Sequence, residues 1–116
     1  MKPRVLVSRK IQEGHLALLR EQAEVMVNPE DRAMTPEEII ANLPGKAGLL
    51  AAGSDPISGK ILEAGRDLKI VANNAVGFNN IDLAAATRLK IAATNTPGVL
   101  TDTTADLAFA LMLGVA

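Results

Sequence analysis

Ile70-Val71-Ala72-Asn73-Asn74-Ala75-Val76-Gly77-Phe78-Asn79-Asn80-Ile81-Asp82 is the stretch from which the fold is read. An apolar, β-branched run gives way at once to a polar turn with a glycine at its crest, and then to an aspartate able to start a helix. Such a run, with no polar alternation, marks a strand covered on both faces. Gly77 admits positive φ and close approach of a ligand, and the asparagines after it offer side chains able to cap a following helix. A turn of this kind aims several N–H groups outward, which suits a small anion such as a carboxylate. The alternative is a well-capped loop with no ligand.

The same grammar recurs on either side. Val5-Leu6-Val7 predicts a short buried strand, and Leu16, Leu19 and Ala23 then repeat at helical spacing among polar neighbours. Val25-Met26-Val27 is a second strand, closed by Asn28-Pro29. Thr35-Pro36-Glu37-Glu38 is a helix start, with Thr35 as cap, Pro36 at the first helical position and Glu38 three residues after the cap. Ile39, Ile40 and Leu43 form its buried side and Pro44-Gly45 ends it. Gly48 to Ala52 is the third strand, and Gly53-Ser54-Asp55-Pro56 leads into a helix expected to carry Ile57, Ile61 and Leu62 on one face. Leu68 to Ala72 is the fourth strand. A helix from about Asp82 to Arg88 and a fifth strand, Ile91 to Thr94, follow.

Short strands alternating with helices wind by right-handed crossovers into a parallel sheet covered on both faces. The expected fold is therefore a doubly wound α/β sheet of about five strands, flavodoxin-like, in the order 2-1-3-4-5. That order puts the loops after the first, third and fourth strands on one rim, with Ser8-Arg9, Gly53-Ser54 and Val76-Gly77 near one another. Ligands of such sheets gather at this rim.

Composition narrows the chemistry. The 116 residues, 48% of them hydrophobic, suffice for one domain with a real core. A formal charge of −1 and only two aromatics, Phe78 and Phe109, argue against nucleic acid or an anionic membrane as partner. With no cysteine and the single histidine His15, disulfides, thiolate chemistry and Cys- or His-based metal clusters are excluded. The N-terminus lacks the features of a signal peptide, so a cytoplasmic location is expected.

No GxGxxG fingerprint follows any predicted strand. His15 has no acidic partner at useful spacing and is read as an exposed or capping residue. Asp55, Asp82, Asp102 and Asp106 fall at predicted helix starts, where capping and the helix dipole explain an acidic residue. Arg9 is placed to face an anion, although a solvated arginine is the plainer reading. Ser54 and Thr104 bring hydroxyls to the rim without a nearby base. The rim thus offers an anion receptor with no general acid or base. From Thr101 the sequence starts another helix, and Leu107 to Ala116 is apolar or glycine throughout. A helix of that kind must be covered, by a second copy or by further chain.

Together with Thr94-Asn95-Thr96-Pro97-Gly98-Val99-Leu100-Thr101-Asp102 and Thr104-Ala105-Asp106, the opening stretch resembles the D-isomer-specific 2-hydroxyacid dehydrogenases, above all their glyoxylate/hydroxypyruvate reductase branch. The resemblance implies that residues 1–100 are an incomplete flavodoxin-like substrate domain and that 101–116 begin the crossing helix to a separate dinucleotide-binding domain. It implies that the amides around Val76 and Gly77 hold the carboxylate of a small 2-oxo acid, that Gly53 and Ser54 line the same pocket, and that Thr104 approaches the cofactor. NADH or NADPH would serve the parent protein, with neither binding this chain tightly. The family's catalytic residues have no counterpart here, so the chain alone is expected to be inactive. A non-catalytic folding unit that dimerises through its C-terminal helix is the alternative. Two departures from the family pattern stand out. Leu89-Lys90-Ile91 lacks the usual helix-ending glycine, and Gly53 replaces a larger residue, which is expected to leave more room or more mobility near the substrate.

Overall fold

A computed structural model describes residues 2–97; the expected crossing helix, Thr104 and the apolar segment Leu107 to Ala116 lie outside the described residues. The strands are β1 (Arg4–Val7), β2 (Glu24–Val27), β3 (Gly48–Ala52), β4 (Ile70–Asn74) and β5 (Ala92–Thr94). Between them run α1 (Glu13–Arg20), α2 (Pro36–Asn42), α3 (Gly59–Ala64) and α4 (Leu83–Arg88). All strand pairs are parallel, in the order β2-β1-β3-β4-β5. The flavodoxin-like α/β fold expected from the alternation is the fold found.

Side chains alternate across a strand, and the two apolar clusters follow that alternation. Leu6, Leu49, Ala51 and Val71 point to the layer of α2, α3 and α4, where they meet Ile39, Leu43, Ile61, Leu62, Ala85 and Ala86. Val5, Val7, Leu50, Ile70 and Ala72 point to the other face and pack with Leu16 and Leu19 of α1. Helix α2 starts as its sequence predicts. Thr35 Oγ1 accepts from the Glu38 amide at 3.2 Å, and the Thr35 amide donates to Glu38 Oε1 at 3.0 Å.

Several local expectations are corrected. The strand expected over Leu68 to Ala72 is displaced two residues, so Asn73 and Asn74 belong to β4. The displacement follows from pairing: Lys69 and Ile70 amides both reach the Ala47 carbonyl, which starts the ladder with β3 there. Helix α1 ends at Arg20, leaving Ala23 buried in the turn after it. Ile57 is not helical. It forms an isolated parallel bridge with Ile81, and Ser58 then caps α3. Asp55, expected to cap that helix, instead sits buried between β1 and β3. Asp82 does cap α4, through the Ala85 amide at 3.0 Å, a task the sequence reading also offered to the asparagines.

The turn lacking its glycine keeps the geometry a glycine would give. Lys90 takes φ +60°, the Ile91 amide reaches the Ala86 carbonyl at 2.8 Å and the Lys90 amide the Thr87 carbonyl at 3.2 Å. That is a Schellman ending with lysine in the left-handed position.

Candidate functional site

The carboxyl ends of β1, β3 and β4 meet on one rim, and polar groups knit their loops together. The Ser8 hydroxyl donates to the Asp55 carboxylate, the Ala52 amide reaches the same Asp55 Oδ2 at 2.9 Å, and the Ser8 amide donates to Leu50 at 3.1 Å. Asn28, after β2, donates to the Ser8 carbonyl at 3.1 Å. On the far side, Asn80 Nδ2 is shared among the carbonyls of Asp55 at 2.9 Å and Ala52 at 3.3 Å and Asn73 Oδ1 at 3.1 Å.

The turn after β4 has four consecutive carbonyls occupied. Ala75 accepts from the Thr96 amide at 2.9 Å, Val76 from Asn95 Nδ2 at 2.8 Å, Gly77 from Asn73 Nδ2 at 2.9 Å and Phe78 from the Ile81 amide at 3.1 Å. The amides of Val76, Gly77 and Phe78 donate to nothing among the described residues. In a trans peptide the C=O and the following N–H point in opposite directions, so holding a carbonyl fixes the direction of the next amide, opposite to it. The turn therefore presents consecutive N–H groups, the arrangement that binds small anions. Val76 and Phe78 flank them with apolar side chains that are 65% and 50% exposed.

Gly77 is not in the left-handed region; among the described glycines only Gly45 is, so the positive φ expected at the crest is absent. Among the described residues, other than its chain neighbours, nothing lies within 4 Å of where a Gly77 Cβ would stand. Neither backbone conformation nor packing calls for a glycine there.

Gly53 does come against the turn, as the rim argument expects, but without spare room. A Cβ there would stand 2.8 Å from Ala75 Cβ, so the side-chain space is already filled by the alanine methyl. Ser54 faces elsewhere, lining an open cavity of about 410 Å³ with Asn79, Asn80 and Asp82, while Val76 and Gly77 are not among the residues lining it. Arg9 and Lys10 border a cleft of about 60 Å³ with Ala52 and Asn74 on the α1 side of the rim. His15 lies in the first turn of α1. The residues sequence reasoning passed over are Asn73, Asn80 and Asn95. Their side chains bond the turn or brace it, and the density of asparagine around the glycine was the available signal.

Resolved electrostatic perturbation lies at the start of α2. Hydrogen bonds from Arg32, then from the Thr35 amide, hold the Glu38 carboxyl at about 2, and Glu38 and Glu30 together raise the Arg32 guanidinium above its ordinary value. Both side chains are solvent-facing, so the pair organises the loop before α2 more than it stabilises the core. Among the described residues no group of three or more His, Asp or Glu side chains is placed to hold a metal ion, and no helix is long and apolar enough to cross a membrane. The β1–α1 connection, Ser8 to Gln12, contains no glycine of the kind that brings backbone amides against a pyrophosphate.

The five-stranded parallel sheet and its strand order define the class, a flavodoxin-like α/β domain. Residues 5–111 match the D-isomer specific 2-hydroxyacid dehydrogenase catalytic domain, and the chain belongs to that family. A glyoxylate reductase of Thermococcus onnurineus is 41% identical over 116 residues, all of this chain and 35% of that protein. A D-isomer specific 2-hydroxyacid dehydrogenase, NAD-binding, from Polaromonas superposes with a TM-score of 0.82 at 30% identity, over 88% of this chain and 32% of that one. The NADPH-dependent glyoxylate/hydroxypyruvate reductase of Sinorhizobium meliloti, in complex with NADP and malonate, gives 0.68 at 32% identity, over 98% of this chain and 34% of that one. The chain thus spans about a third of the length of the relatives it matches.

Proposed function

We propose that this chain supplies the substrate-holding part of an NAD(P)-dependent 2-hydroxyacid dehydrogenase, with the carboxylate of a short 2-oxo acid, glyoxylate or hydroxypyruvate, received on the amides of Val76 and Gly77. The observation that carries this reading is the turn in which the carbonyls of Ala75 to Phe78 are occupied while the amides of Val76, Gly77 and Phe78 have no partner among the described residues. Charge-assisted N–H to carboxylate bonds are short and about twice as strong as neutral ones. Family membership and the glyoxylate reductases among the relatives favour this acid class.

Residues 2–97 do the orienting. They fix the carboxylate end of the substrate and so direct its 2-oxo carbon away from the rim. The dinucleotide, NADH or NADPH, and the proton donor are assigned to residues outside 2–97, with Thr104 on the cofactor side by resemblance. Gly53 borders the turn through Ala75, and Ser54 lines the neighbouring cavity with Asn79 and Asn80, so its place in the substrate pocket rests on the resemblance alone.

The test is a titration of ¹⁵N-labelled protein with oxalate, a stable two-carbon diacid. Saturable shifts centred on the Val76 and Gly77 amides are expected. Gly77→Ala should melt no lower than wild type, because an alanine fits the backbone there and restricts the unfolded chain. Its oxalate affinity should nonetheless fall about tenfold, equivalent to ~1.4 kcal/mol. Shifts confined to other residues, or unchanged affinity in Gly77→Ala, would refute the assignment.

A further inference from the structure

We infer that three asparagine side chains, Asn73, Asn80 and Asn95, are positioning residues that hold the substrate turn with its amides outward. This rests on the carboxylate-binding reading above. The peptide after Val76 has its carbonyl held by Asn95 Nδ2 at 2.8 Å, which fixes the direction of the Gly77 N–H. The peptide after Gly77 has its carbonyl held by Asn73 Nδ2 at 2.9 Å, which fixes the Phe78 N–H in the same way. Were either peptide to turn over, a carbonyl oxygen would face the anion and repel it. With no Cβ at Gly77 to resist, the backbone there has the freedom to make that turn. The side-chain bonds remove it.

Asn73 is itself fully buried, so its amide must satisfy both ends. Asn80 does this reciprocally: Asn73 Nδ2 donates to Asn80 Oδ1 at 2.9 Å, and Asn80 Nδ2 donates to Asn73 Oδ1 at 3.1 Å. A carboxylate at either position could not donate, and a hydroxyl could not span both partners. Asn80 also bonds the Asp55 carbonyl at 2.9 Å, and the Asp55 side chain is tied to Ser8 and the Ala52 amide. The chain of bonds therefore runs from the ends of β1 and β3 to the Gly77 carbonyl. The rim, and not the turn alone, sets the amide orientation.

Asn95→Ala and Asn80→Ala separate this role from a structural one. Asn95 is partly exposed and bonds only the Val76 carbonyl among the described residues, so its removal should shift the melting temperature by no more than two or three degrees. Asn80→Ala removes the brace from the interior. Ser58→Ala, which takes away the α3 cap, is the control that lowers stability without touching the turn. Oxalate titration of the ¹⁵N-labelled protein should show affinity about tenfold weaker for Asn95→Ala and Asn80→Ala, and unchanged for Ser58→Ala. If wild type shows no shift at Val76 and Gly77, the carboxylate reading falls and the positioning role with it. If wild type binds and Asn95→Ala binds equally well, the positioning role alone is overturned, whether or not Asn80→Ala folds.

Discussion

Replacing Gly53 by alanine puts the packing between the β3 loop and the turn after β4 to a quantitative test. The new methyl would stand 2.8 Å from Ala75 Cβ, short of the ordinary carbon–carbon contact of about 3.5–4.0 Å by roughly an ångström. Neither side yields easily. Ala52, just before Gly53, has its carbonyl bonded by the Asp55 amide at 3.0 Å, and Ala75 is tied to Thr96 at 2.9 Å. Overpacking of this kind costs about 1–3 kcal/mol, or roughly 4–8 °C of melting temperature per kcal/mol in a domain of this size. Ala75→Gly alone should cost about 0.5–1 kcal/mol through backbone entropy. The double variant removes the clash, so its stability should return close to that of Ala75→Gly, with a coupling of about 1–3 kcal/mol in the favourable direction. Urea unfolding of the four proteins, followed by circular dichroism, measures the cycle. Oxalate affinity should fall in Gly53→Ala, because the displaced turn carries Val76 and Gly77, and recover in the double variant. Stability losses that add to within about 0.5 kcal/mol would refute the contact and its transmission to the turn.

Lys90→Gly should stabilise the protein by about 0.5–1 kcal/mol, because a left-handed lysine costs roughly 1–2 kcal/mol and glycine returns part of that as chain entropy; a melting temperature that stays put or falls would show that the lysine side chain holds the turn. For Glu38 the folded pKa, about 2, lies below its ordinary 4.5, so folding favours the ionised form. Its contribution is therefore complete above about pH 4.5 and lost as pH falls towards 2. Wild type and Glu38→Gln should accordingly converge in stability over that window, and a difference that stays constant through it would contradict the role given to Arg32.

What could be read from the linear chain has a local cause. The buried strands announce themselves as apolar runs, and Thr35-Pro36-Glu37-Glu38 spells out a cap whose two bonds both form within four residues. Right-handed crossovers then leave few arrangements, and the order β2-β1-β3-β4-β5 is among them. The rim, and with it the nearness of Gly53 to the turn at Ala75, follows from that order. Ile57 and Asp55 were misassigned for a physical reason. A Gly-Ser-Asp-Pro turn reads as a helix start, but the bridge to Ile81 and the bond to Ser8 join residues 24 and 47 positions apart. No periodicity records such pairs.

The chain by itself determined the sheet, the family and the glycine-crested turn as the place to look, because period, caps and motif are properties of neighbours in sequence. Only the tertiary structure decided which way that turn faces. Its conformation depends on carbonyls held by Asn95, Asn73 and Thr96, on Asn80 bracing Asn73 from the β3 loop, and on Ala75 filling the space beside Gly53. Those contacts exist because parallel strands bring their carboxyl ends to one edge, where loops distant in sequence meet and their polar groups bond one another.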